Sequence, residues 1–124
     1  MASNLSLHIL GDCDQGKIEE FNFYAGETRI LKLQIYDIQD NQKYCLPVGS
    51  VLTLSVPSTT GTDIEIANAD ITVGTDDRSF ISMPITAAQT TLMMTGWIKL
   101  KIVSGTVTRW AVTESATNKL PLHT

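Results

Sequence analysis

The chain has 124 residues, 43% of them hydrophobic and 18% charged, a globular balance far from that of disordered chains, and this length expects one domain over residues 1–124 that buries about two thirds of its unfolded surface. Nine Lys and Arg against thirteen Asp and Glu leave a formal net charge of −4, a field that repels phosphate backbones and anionic lipid and so argues against nucleic acid and membrane surfaces as partners. Residues 1–10 carry neither the basic lead nor the unbroken apolar stretch of a secretory signal, and no segment reaches the roughly 20 apolar residues that span a bilayer, so synthesis in the cytoplasm is expected.

In chain order, apolar residues recur with period two, which puts alternate side chains on opposite faces of a half-buried strand. Residues 1–17 read as an N-terminal strand or arm containing Leu5 to Leu10, followed by a short strand at Glu20 to Tyr24. Thr28 to Asp37 is the longest strand, with Leu31, Leu33 and Ile35 inward and Lys32, Gln34 and Tyr36 outward. Val51 to Val56 follows with Leu52, Leu54 and Val56 inward, closed by Pro57, which cannot donate to a ladder. Asp63 to Ile66, Ile71 to Val73 and Ser79 to Ile85 are further strands, rich in β-branched or aromatic residues.

Residues 86–95 break the pattern. Thr86 followed by Gln89 is a capping-box pair, so one or two helical turns are expected there, ended by Gly96 and pinned by Ala88, Leu92 and Met93. Gly96 to Val103 returns to alternation, with Ile98, Leu100 and Ile102 inward. Val103-Ser104-Gly105-Thr106 then reads as a tight hairpin into Thr106 to Thr113. Residues 114–124 are a last strand or an arm, with Pro121 favouring an edge. Short strands at this spacing, divided by Gly, Asn and Asp turns, predict an all-β sandwich or barrel.

Chemistry-bearing residues are few. His8 lies on the strand face opposite Leu5, Leu7 and Ile9, where a solvated surface histidine is expected, and His123 stands next to the end of the chain. Neither has a nucleophile elbow or a cysteine signature to serve. The acidic pairs Asp12 with Asp14, Glu19 with Glu20, Asp37 with Asp40, and Asp76 with Asp77 fall at turns, where carboxylates cap their own backbone. Asp70, Asp76 and Asp77 are the place to look for calcium, without the acid spacing of a calcium loop; the expectation is no metal and no cofactor. Cys13 and Cys45 lack zinc or redox spacing and read as free, partly buried thiols, a bridge between them being the alternative. Trp97 and Trp110 are the candidate ligand or interface contacts, since an indole offers a broad apolar face with a polar edge. The plainer account has one tryptophan under a loop and the other at an interface.

Three blocks carry a resemblance. They are Gly26-Glu27-Thr28-Arg29 entering the strand that ends Leu33-Gln34-Ile35-Tyr36-Asp37, Leu46-Pro47-Val48-Gly49-Ser50-Val51 leading into Leu52 to Val56, and Asp76-Asp77-Arg78-Ser79 before Phe80 to Ile85 with the Thr86 to Leu92 mini-helix and Gly96. The stretch from Gly26 to Val112 resembles the N-terminal immunoglobulin-like domain of phage baseplate upper proteins and related tail and fibre proteins. The resemblance implies an immunoglobulin-like sandwich of about seven to nine antiparallel strands with one short helix. It further implies a virion structural protein that is not an enzyme, commonly homotrimeric and docked to other virion proteins. The chain ends without the helical linker of such components, which leaves its place in the virion open, a capsid decoration or head fibre included. Two other classes stand beside this one: a carbohydrate or receptor module binding host surface glycan through Trp97 or Trp110, and a small hydrolase using His8, Asp76 and Asp77.

Overall fold

The computed structural model describes residues 5–10, 17–18, 22–24, 26–40, 42–94, 96–113 and 118–120. The alternating segments form β1 (Leu5–Leu10), β2 (Lys17–Ile18), β3 (Asn22–Tyr24), β4 (Arg29–Asp37), β5 (Gln42–Lys43), β6 (Val51–Val56) and β7 (Ile64–Ile66). A single 3-10 turn at Asn68–Asp70 leads to β8 (Thr72–Val73), β9 (Phe80–Ile85), helix α1 (Ala87–Leu92), β10 (Lys99–Ser104), β11 (Val107–Thr113) and β12 (Asn118–Leu120).

The main path runs β7-β6-β10-β11-β1-β4-β9-β8. Its two halves, β1-β4-β9-β8 and β7-β6-β10-β11, reproduce the strand order of the immunoglobulin-type sandwich, and the chain crosses between them after β4, β7 and β9. β1 belongs to both halves. It runs antiparallel to β4, Leu5 opposite Asp37 through Ile9 opposite Leu33, and parallel to β11, Leu5 opposite Ala111 through Leu7 opposite Thr113. The two sheets are therefore one curled sheet, a half-barrel, with β7 and β8 at its edges. These edges are three and two residues long, short enough to limit edge-to-edge pairing. Pairing is antiparallel elsewhere on this path; the segment expected as a C-terminal strand or arm supplies β12, which lies parallel to β3 in a separate two-stranded sheet.

The core is the inward half of the alternation. Leu31, Leu33 and Ile35 of β4, Leu54 and Val56 of β6, Ile81 and Ile85 of β9 and Leu100 of β10 have no exposed surface, and Leu5, Leu7 and Ile9 close the seam. Each such side chain contributes about 1.5–3 kcal/mol on burial, and among the described residues no disulfide adds to it. Cys45 is a free thiol on the surface, not partly buried, because it sits one position out of phase with Leu46 in the loop after β5. Cys13 lies outside the described residues.

α1 occupies the crossing from β9 to β10. Its capping box is complete: the Thr86 hydroxyl accepts from the Gln89 amide at 3.2 Å, and the Gln89 side chain accepts from the Thr86 amide at 2.9 Å. Two expectations need correction. The helix is pinned by Thr90 and Met93, while Ala88 is exposed and Leu92 is 41% exposed. Six helical residues present one narrow face, and a hydroxyl occupies it: Thr90 Oγ1 donates to the Glu27 carbonyl at 2.7 Å and accepts from the Gly26 amide at 3.1 Å. Gly96 does not stop the helix, whose cap is Met93 in extended conformation. A Cβ at Gly96 would stand 2.5 Å from Cγ of Pro57, so glycine is required there by close approach to a rigid ring.

Candidate functional site

Two surfaces gather the polar and aromatic candidates, one on the outer side of each half of the sandwich. The first is the turn between β8 and β9. Gly74 tightens it, since a Cβ there would meet the Asp77 carbonyl oxygen at 2.5 Å. Asp77 accepts from the Ser79 amide and hydroxyl through Oδ1, and from Gln34 Nε2 at 3.1 Å and Lys43 Nζ at 3.2 Å through Oδ2. The Ser79 donors, assisted by Lys43, hold its carboxyl below the ordinary aspartate value against a smaller opposing effect of burial. The next residue ties down another loop: Arg78 Nε donates to the Leu46 carbonyl at 2.8 Å and Nη2 to the Pro47 carbonyl at 3.2 Å, while the Leu46 amide donates to the Arg78 carbonyl. The charged turn thus joins β4, β5, β9 and the 46–47 loop.

An open hollow of about 430 Å³ lies beside this turn, lined among others by Leu10, Gln34, Lys43, Asp77 and Phe80. His8 is half-buried on the same outer side. It stacks on Tyr36 with ring centroids 4.3 Å apart, lies 3.3 Å from the Ser6 hydroxyl, and pairs across strands with Gln34. The fold therefore brings His8, Asp77 and Asp76 to one region, but with Gln34 between His8 and Asp77. Asp77 already accepts four donors, leaving it poorly placed to act as a base. Among the described residues no three His, Cys, Asp or Glu side chains gather to hold a metal ion, and Asp70 sits apart in the 3-10 turn after β7. His123, Asp12, Asp14, Glu19 and Glu20 lie outside the described residues.

The second surface is the outer face of β6, β10 and β11. Lys101 stands opposite both Trp110 and Thr53, Lys99 opposite Val112 and Ser55, and Val103 opposite Thr108 and Val51. Trp110 is 42% exposed and Trp97, two residues ahead of Lys99, is 51% exposed. Neither tryptophan is packed under a loop. The Lys101 ammonium lies 6.0 Å from the Trp110 ring, the outer limit of a cation–π contact. Among the described residues, ion pairs join Arg29 to Glu27 and Lys43 to Asp77 and none involves Lys99 or Lys101; Glu65, opposite Ser55 on the β7 edge, is the carboxylate on this same outer face. Alternation with Leu100 sets Lys99 and Lys101 toward water, as the sequence pattern predicts, and the register of β10 with β11 then brings Lys101 opposite Trp110.

No protein-family model and no curated protein matches the chain. Among solved structures, a chimeric titin Z1Z2 functionalized with a KLER exogenous peptide from decorin aligns over 95% of this chain and 98% of its own, at 10% identity and a TM-score of 0.36. A similarity of that size bears on neither fold nor function. The class is set by strand order and burial: an immunoglobulin-like β-sandwich closed through a shared first strand, with an aromatic and basic outer face. No helix among the described residues is long and apolar enough to cross a membrane.

Proposed function

We propose that this chain is a non-enzymatic building block of a phage virion, a baseplate, tail or fibre component that works by self-association and by docking to other virion proteins. The setting comes from the resemblance of Gly26 to Val112; the mode of action comes from the surface. The observation that carries it is the set of large apolar side chains left uncovered at the end of the sandwich where α1 hangs, namely Ile30, Leu92, Met94 and Trp97, each between 41% and 51% exposed. β4 begins and β6 and β9 end there, and Trp97 leads into β10, so all four belong to the same end of the sandwich. Large exposed apolar side chains gathered in one region mark interaction sites. Of the groups weighed for catalysis, His8 and Asp77 are engaged in strand and turn ties, which favours docking over chemistry.

Light scattering of the purified chain tests this reading. The expected result is an oligomer, a trimer by the family resemblance, that Leu92→Ser with Met94→Ser returns to monomer without lowering the melting temperature, together with the chain's presence in purified particles. A monomer at every concentration and absence from particles would overturn it.

A further inference from the structure

The outer face of β6, β10 and β11 points to a ligand of a different kind from the α1 end. We infer that this face is a binding site for an acidic oligosaccharide, one bearing uronate or sulfate groups, with Trp110 as the stacking platform and Lys99 and Lys101 as the anion contacts. The inference does not rest on the virion reading.

The argument begins with charge. The chain as a whole is negative, with a net charge of −4, yet its exposed Lys99 and Lys101 project from one face of one strand and form no ion pair among the described residues, Glu65 standing two strands away from Lys99 at the β7 edge of the face. Two residues of strand separate them, about 7 Å. Trp110 is directly opposite Lys101 and diagonal to Lys99, so one indole and two ammonium groups fall within reach of a single short ligand. Lys101 rests on the ring only at the limit of attraction, so it can swing toward an anion while the indole receives a sugar ring.

The other occupants fit less well. A second copy docked about a two-fold axis through this face would set four lysines against one another, since an isologous interface repeats the same patch on both sides. A protein partner is disfavoured by composition, because interface cores are depleted in Lys and Ser and this face is centred on two lysines amid Thr53, Ser55 and Thr108. Those hydroxyls suit the hydroxyl-rich edge of a carbohydrate. A neutral glycan would use the indole and leave both ammonium groups idle.

Titration of the intact chain with a galacturonate hexamer, followed by tryptophan fluorescence and by amide shifts over Lys99–Ser104 and Val107–Thr113, is the test. Maltohexaose and a glutamate hexapeptide serve as the neutral and peptide counterparts. Saturable binding of the uronate is expected, weakened by added salt and centred on Trp110 even in a Trp97→Phe background. Lys99→Glu with Lys101→Glu should weaken it about tenfold or more, two surface attractions having become repulsions, while the melting temperature is retained. Equal binding of maltohexaose would reduce the site to stacking and overturn the inference. Equal binding of the peptide would make the face a site for acidic protein instead, and no uronate binding, or undiminished binding by the lysine variant, would equally refute it.

Discussion

At the residue scale, the best-connected polar side chains among the described residues hold turns and crossings together. Asp77 shows it best, with both carboxylate oxygens occupied by donors from three segments. Its carboxyl titrates below the ordinary value, so the ionised form is the one the fold favours. Its stabilisation is therefore fully present above the unfolded aspartate value of about 4 and is lost as pH falls through the lower folded value. Asp77→Asn should lower stability at pH 7 by about 1 kcal/mol, the size of one charged hydrogen bond screened by solvent. Thermal melts from pH 7 down to 2 should show the gap between variant and parent closing below about pH 4; a constant gap would contradict this assignment. Thr90 is the complementary case, a buried hydroxyl serving a carbonyl and an amide 63 and 64 residues away. Thr90→Val keeps the shape and removes both bonds, a loss of about 1–3 kcal/mol in urea titrations, while Thr90→Ser should recover most of it. The capping box was legible because its two partners are three residues apart; the role of Thr90 was not, because its partners are distant in sequence and a threonine in a helix ordinarily carries no such signal.

At the scale of elements, legibility followed the strength of alternation. β4, β6 and β10 each present an unbroken inward row, and their burial patterns repeat the sequence pattern residue for residue. The two-residue strands β2 and β5 were not delimited, since two residues hold no period and their pairing is imposed by neighbours, whereas β8 falls within the strand expected at Ile71 to Val73. The hairpin between β10 and β11 was also readable: Ser104 pairs with Val107, leaving Gly105 and Thr106 as a two-residue loop with Gly105 at a φ of 61°, the backbone that such loops demand. Gly96 shows the opposite failure. A glycine after a helical stretch suggests a cap, whereas its actual cause is the Pro57 ring, 39 positions earlier in the chain, which only the folded crossing brings near. Gly96→Ala should accordingly cost about 1–3 kcal/mol by overpacking, and Pro57→Ala in the same chain should restore part of the loss. Additive losses in the double variant would show that the ring is not the obstacle.

For the whole molecule, the deciding feature is that β1 is hydrogen-bonded into both halves of the sandwich over the same residues, Leu5 to Leu7. Alternation in the first strand foretold its inward row, but nothing local could foretell that it would run parallel to the last long strand, since that pairing joins segments about a hundred positions apart. A strand shared in this way couples the two sheets: opening either one exposes Leu7, which is 1% exposed, and the apolar layer that Leu33 and Leu100 contribute from opposite sides. Leu7→Ala should therefore cost about 2–5 kcal/mol, and it should destabilise both halves equally. Native-state hydrogen exchange provides the check, because amides in the middle of β4 report one sheet and those in the middle of β10 report the other. In the parent chain both should exchange with the same, global free energy, as a two-state domain requires, and in Leu7→Ala both should fall by the same amount. A loss confined to the β4 side would mean that the halves open independently and that the seam at β1 does not bind them into one cooperative unit.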